Sequence, residues 1–365
     1  MTNEYNVLPP YPCERDMWDE LAAERRPIVV YGMGNGADKL IERFKKYNIE
    51  IADFFASDGF VRGHSFHGYK VKSFSEIREM YTDFVIVLSF ASNRREVVNM
   101  LSEIDEGYDM YIPDMPIANT DEYFDREFYN THYASICETL DLLSDGTSKR
   151  IFVNTVKYKL TGRMKYLMSA TSQKDEMYSL LPCDKIRCTV DAGAYNGDTA
   201  REAKEYFKNL EKIYCIEPDS RNFKKLLKYS EAETEILVLP VNAAAWSSPS
   251  LAAFSDSGNR NSTISATPSF EHKTKEVSLI TVDSLAEEKI DYIKYDVEGA
   301  EGEALIGSHS VIERDAPALL VSLYHRSRDI FELPLMLSER YPGYRFYLRR
   351  LPCVPAWELN LIAVR

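Results

Sequence analysis

The stretch DYIKYDVEGAEGEAL places four carboxylates close together: Asp296, Glu298, Glu301 and Glu303. An apolar run, PALLVSLYH, follows and ends at His325. Carboxylates and an imidazole at one edge can take the proton from an attacking hydroxyl, which a displacement at carbon requires. His325 has the more suitable reference pKa, about 6.5, so His325 or Asp296 is the expected general base. Glu298 is then expected to position the acceptor. A strand-end histidine bonded only to backbone is the plain alternative. Glu301 and Glu303 read as solvated acids at a helix start, where negative charge is favoured. A divalent metal on Asp296, Glu298 and His325 is a minority alternative, since hard acids suit Mg²⁺ but the spacing is not diagnostic. The expectation is therefore no metal.

These groups need a scaffold that holds an electrophile opposite them. The strand KIRCTVD runs into the turn VDAGAYNGDT, and a helix over 199–212 follows. Its stripe is Ala203, Phe207 and Leu210, with Asp198 or Thr199 as N-cap. The next strand, IYCIEPD, closes on Glu217, and PDSRNFKKLLKY returns as a helix with Phe223, Leu226 and Leu227 inward. In open α/β sheets, ligands bind at the carboxyl ends of the strands, where these residues fall.

The turn reads D-x-G-x-x-x-G through Asp191, Gly193 and Gly197, not the G-x-G-x-x-G of a pyrophosphate loop. S-Adenosylmethionine has no phosphate; it offers an amino-acid end, a ribose diol and a sulfonium. Gly193 lets the backbone approach it, and Asp191 sets negative charge beside the cationic end. Glu217 can accept both ribose hydroxyls. A third strand, EILVLPV, ends in Asn242-Ala243, where an amide and a backbone N–H could read an adenine edge. A turn role for Asn242 is the equal alternative. Residues 247–275 are rich in hydroxyl and amide side chains and are expected to form a lid or substrate contact carrying a short hairpin. YRFYLRRL and ELNLIAVR read as a closing antiparallel pair. Residues 181–365 are thus expected to form a doubly wound, seven-stranded sheet with a closing antiparallel strand.

Residues 1–118 repeat the alternating pattern on a smaller scale. IVVY leads into GMGNGA and the helix DKLIERFKKYN; EIADFFASD and DFVIVLSF supply further strands. Gly32, Gly34 and Ala37 fit a dinucleotide fingerprint, and Asp58 sits where a ribose-binding acid belongs. A nucleotide or nucleotide-sugar site is one reading; a turn kept for packing is the other. Residues 119–180 read as a helical connector. Its aromatics Tyr123, Phe124, Phe128, Tyr129 and Tyr133 suit core packing better than a substrate entrance. The fold class is therefore α/β, with two Rossmann-like domains.

Composition narrows the partners. A net charge of -13 and a pI near 5.1 disfavour nucleic acid and anionic membrane surfaces. The apolar runs are too short to span a bilayer. No signal-peptide pattern opens the chain, and six scattered cysteines show no zinc spacing. A cytoplasmic protein with reduced thiols and a small-molecule or glycan acceptor is expected.

DAGAYNGDT, IEPDSRNFKKL, VNAAAW, TVDSL and IKYDVEGAEGEAL together resemble the FkbM-type S-adenosylmethionine-dependent methyltransferases over roughly residues 175–365. LLSDGTSKRIF resembles the segment that precedes the catalytic domain in longer members. The resemblance implies O-methylation of a hydroxyl on a sugar, glycan or related metabolite. It implies a donor held by Asp191, Gly193, Gly197 and Glu217, with Ala194, Tyr195, Thr199, Pro218, Asn242, Ala243 and Asp296 around it. Many relatives carry E-x-H at the end of the fifth strand, whereas this chain has Ser322-Leu323-Tyr324-His325. The first module resembles small Rossmann-like domains on bacterial sugar-modifying enzymes, which begin YGxGxxG.

Overall fold

In the computed structural model, the structure describes residues 3–61, 63, 65–117, 122–255, 264–265, 274–285 and 287–365. The β-branched and aromatic runs form one parallel and one mostly parallel sheet, and the helices between the strands pack on the sheet faces. In the first module, β1 (Ile28–Tyr31), β2 (Asp53–Ala56), β3 (Lys72–Ser73), β4 (Val85–Leu88) and β5 (Asp109–Tyr111) pair in the order β3-β2-β1-β4-β5. Every pair is parallel. β1, β2 and β4 are buried at every residue, as strands covered on both faces must be. β2 stops at Ala56, and Asp58 begins a separate 3-10 turn. The helices α1 (Asn35–Tyr47) and α2 (Arg95–Gly107) follow β1 and β4.

The connector is a layer of the fold. α3 (Gly146–Thr161) is buried along almost its whole length, as a helix between two cores must be. Its Ile151, Phe152 and Val156 join the core of the second sheet, while Tyr158 joins that of the first. Phe124, Phe128 and Tyr129 are buried in the second core; Tyr123 packs against the first module and Tyr133 against the second. These aromatics are packing residues.

The second sheet contains β6 (Cys188–Ala192), β7 (Lys212–Ile216), β8 (Leu237–Val241), β9 (Tyr292–Tyr295), β10 (Ala318–Ser322), β11 (Arg345–Arg350) and β12 (Leu359–Val364). Their order is β8-β7-β6-β9-β10-β12-β11, with β12 antiparallel to both its neighbours. The expected seven strands and the antiparallel closure are both present.

Three local expectations need correction. The helix after β6 is α4 (Asp198–Tyr206), shorter than 199–212, because Lys212 already pairs with Cys188 in β7. Phe207 and Leu210 stay buried in the connecting turn. Its N-cap is Gly197, at φ 84, rather than Asp198 or Thr199. In α5 (Ser220–Ala232), Leu226 is buried but Leu227 faces solvent. The expected hairpin forms, Ser250–Ser255 pairing antiparallel with Thr274–Ile280. The expected lid falls largely on 256–263 and 266–273, outside the described residues. Among the described residues, no helix is long and apolar enough to cross a membrane.

Besides the packing of Leu40 and Phe44 in one cluster with Val85 and Val87, a close backbone approach joins the start of α1 to the end of β4. A Cβ on Gly36 would lie 2.0 Å from the carbonyl oxygen of Ser89, an atom that cannot swing away. Gly36→Ala is expected to destabilise the protein by about 2–3 kcal/mol, against the slight gain that alanine normally gives a helix. Urea unfolding with an unchanged m-value checks this, and a wild-type midpoint would contradict it.

Candidate active site

The strand ends of the second sheet open on a cavity of about 740 Å³. Gly193, Tyr195, Thr199, Glu217, Pro218, Asp296 and Glu298 all line it. The sequence pattern placed these seven at one edge, and the fold brings them to one surface. The first module supplies another wall through Asn93, Arg95, Val98 and Asn99.

On the β6–β7 side, the backbone comes very close to β9. Gly193 has φ 93, and a Cβ there would stand 1.9 Å from the carbonyl oxygen of Asp296. Glycine is required by both contact and conformation. The Glu217 carboxylate accepts from the N–H of Tyr195 at 2.8 Å and of Asp219 at 2.8 Å, so its direction is fixed by backbone. Asp219 in turn caps α5 by accepting from the N–H groups of Arg221 and Asn222. Each Glu217 oxygen keeps lone-pair capacity for a diol. Burial pushes the Glu217 carboxyl up to about 7, despite those two N–H donors.

Asp191, Ala194, Gly197, Asn242, Ala243 and His325 do not line this cavity. Gly197 serves packing, since a Cβ there would meet the Tyr229 ring at 2.5 Å. The exposed Asn242 donates its amide to the carbonyl of Glu217 at 2.9 Å, which fits the turn role and not the adenine-edge role. Asp191 is 2% exposed and reaches the cavity only through Lys294, whose Nζ is 3.4 Å from Asp191 Oδ1 and 3.4 Å from Asp296 Oδ2. Burial raises Asp191 to about 6, against the pull of Lys294. Burial would depress Lys294, but the two carboxylates outweigh it and hold the ammonium protonated.

On the β9–β10 side, Asp296 Oδ1 accepts from Ser322 Oγ at 2.9 Å and from Tyr324 Oη at 2.8 Å. Burial would raise Asp296, but Lys294, His325 and these hydroxyls together hold it well below the usual carboxylate range. It is a poor proton acceptor. Glu298 lies in a left-handed conformation, φ 54, which turns the chain between β9 and α6 (Glu301–Ile306). His325 is 1% exposed, with Nε2 at 3.6 Å from both Asp296 Oδ1 and Glu298 Oε2. Its Nδ1 is 2.9 Å from Glu301 Oε1. Burial would lower the imidazole, yet Glu301, Glu298 and Asp296 raise it to about 10. An imidazolium has no lone pair to offer, so the base role expected for His325 does not fit this setting.

The solvated role expected for Glu301 is also corrected. Glu301 is 0% exposed and accepts from the N–H of Val297 at 2.8 Å, holding the turn that carries Glu298. Lys294 was missed as well. Its signal was a lysine inside the apolar strand YIKY, where a buried charge needs partners.

The candidate nucleotide residues of the first module lie away from this cavity. Asp58 accepts from Ser75 Oγ at 2.7 Å, and Gly32, at φ 112, lies against Phe90 and Ser89. Gly34, at φ 109, begins α1, and none of the three lines the cavity.

A ribose diol donates its hydrogens to ionised Glu217, so binding of S-adenosylmethionine should release a proton below about pH 7. Affinity is expected to be full above that value and to fall about tenfold per unit below it. Glu217→Gln is expected to weaken binding about 10–100-fold and flatten the profile. Calorimetry from acid to mildly alkaline pH checks both, and a flat wild-type profile would contradict the assignment.

Residues 191–346 match the model of the methyltransferase FkbM domain, and residues 24–110 match that of the C2185-like N-terminal domain. No curated protein matches the chain. A methyltransferase FkbM from Methylobacillus flagellatus KT shares the fold across both modules: 18% identity, TM-score 0.69, covering 99% of this chain and 95% of that one. A fibrillarin from Aeropyrum pernix with natively bound S-adenosylmethionine aligns at 14% identity and TM-score 0.33, over 52% of this chain and 74% of that one. A methyltransferase from Aquifex aeolicus aligns at 11% and 0.33, over 52% and 87%. The close Gly193 turn and the backbone-aligned Glu217 fit S-adenosylmethionine, with Asp191 Oδ2 buried and unbonded among the described residues. Residues 191–346 thus match the FkbM methyltransferase domain, and the geometry around Gly193 and Glu217 suits S-adenosylmethionine as methyl donor.

Proposed function

We propose that this methyltransferase methylates a hydroxyl oxygen of a sugar, glycan or related small metabolite. The observation that carries the reading is that Glu298 and Asp296 border the same cavity as the donor-holding Glu217 and Gly193. Transfer to oxygen is an in-line displacement, so the hydroxyl must be aligned with the methyl group and lose its proton as the bond forms. S-Adenosylmethionine supplies the activated methyl group. Glu217 and the Gly193 turn orient its ribose and amino-acid ends, and Glu298 receives the acceptor's proton. Asp296, held by Ser322, Tyr324 and Lys294, stays ionised and supplies fixed negative charge beside the sulfonium. Polar side chains on the remaining wall, Asn93, Asn99, Gln173 and Asn360, suit an acceptor rich in hydroxyls.

A screen of sugar and glycan acceptors with methyl-labelled S-adenosylmethionine tests the reading. Label found on oxygen supports it; label found only on nitrogen or carbon acceptors would overturn it. With an acceptor identified, Glu298→Gln is expected to lower kcat by about 10²-fold or more while donor affinity stays near wild type. Near-normal turnover would remove Glu298 as the proton acceptor.

A further inference from the structure

Beneath the cavity floor lies a cluster that methyl transfer alone does not explain. Asp296, Glu301 and His325 each present a ligand atom, all within 4.8 Å of one another. They come from the end of β9, the first residue of α6 and the segment after β10, so the fold assembles them from three separate places. Glu301 is 0% and His325 is 1% exposed. Among the described residues, Glu301 Oε2 is buried without a hydrogen bond, while Oε1 faces His325 Nδ1 at 2.9 Å. Buried polar atoms normally find partners, and an orphan carboxylate oxygen in this cluster marks a missing one.

We propose that Asp296, Glu301 and His325 form a site for a divalent transition cation of the Mn²⁺ kind, whose binding displaces the His325 proton to solvent and frees a ring nitrogen as ligand. Two carboxylates and one imidazole mix hard oxygen with a nitrogen donor, which suits such an ion better than Zn²⁺ bound by thiolates or Ca²⁺ bound by oxygen alone. Bonds of about 2.1 Å place ligand atoms on one ion roughly 3.0–4.2 Å apart, and the contacts of His325 to Glu301 at 2.9 Å and to Asp296 at 3.6 Å are of that size. The surroundings already orient the ligands. The N–H of Val297 holds Glu301, and the hydroxyls of Ser322 and Tyr324 hold Asp296. Outer partners of this type fix ligand direction in metal sites. Asp296 also borders the cavity, so the cation would lie beside the acceptor; that role rests on the methyl-transfer reading, whereas the site itself rests on this cluster.

The test uses the full chain, treated with chelator, desalted and titrated with MnCl₂ while free Mn²⁺ is followed by electron paramagnetic resonance. One bound Mn²⁺ per chain is expected. His325→Gln and Glu301→Gln should each weaken binding about tenfold or more, and Glu303→Gln should leave it unchanged. Circular dichroism verifies folding, and Asp296→Asn replaces any variant that fails to fold. Absence of binding at millimolar Mn²⁺, or wild-type affinity in the folded His325 and Glu301 variants, would overturn the site. S-Adenosylmethionine titrated into the same preparation separates the two claims. Donor binding without Mn²⁺ binding removes the cation alone. Mn²⁺ binding without donor binding supports the cation site and counts against the methyl-transfer reading.

Discussion

One buried ammonium holds the second module's working edge together. Lys294 sits opposite Asp191 in the β6–β9 register and stands 3.4 Å from that carboxylate and from Asp296. Burying a charge in a sheet is costly, and the cost is offset only where opposite charges and good geometry accompany it. Here one cation serves two anions on neighbouring strands. Asp191 lies on β6 and Asp296 at the end of β9, so Lys294 couples the electrostatics of both strand ends. Glu217, further along the same edge, is pushed up by burial to about 7.

The strand count, the antiparallel closure and the grouping of residues around the cavity were legible because they follow from alternation and from glycine or acid at strand ends. Gly193 and Glu217 combine residue type with a location that a parallel sheet makes functional. The roles of Glu301 and His325 were not legible. An acid in the first turn of a helix reads as solvated unless the tertiary fold buries it, and Glu301 is covered by elements distant in sequence. His325 shows the same limit from the other side. Its reference pKa suggested a base, but three carboxylates contributed by another segment changed its protonation. Local sequence records side-chain chemistry; the dielectric and the neighbours arrive with packing. Leu227 and the end of α4 fail on a smaller scale, where strand pairing and a single buried helix face override the apolar pattern.

The first module acquires a meaning that its glycine turn did not suggest. Its contribution to the described cavity comes from Asn93, Arg95, Val98 and Asn99, around the start of α2, and not from Gly32 or Gly34. α3 places one face in each core, so the two sheets share a layer and the wall is part of a continuous interior. A solved structure with the same arrangement over nearly the whole chain shows that the pairing of modules is a property of the fold.

The position of β12 has a consequence for how this sheet is made. β12 lies between β10 and β11 although it follows both in the chain. During synthesis, β10 therefore presents an unpaired edge, and β11 has no neighbour in the sheet, until Leu359–Val364 emerges. Exposed strand edges invite pairing with other chains. The vulnerable interval of this protein is thus set by the order of its strands, and it ends when the last of them is inserted.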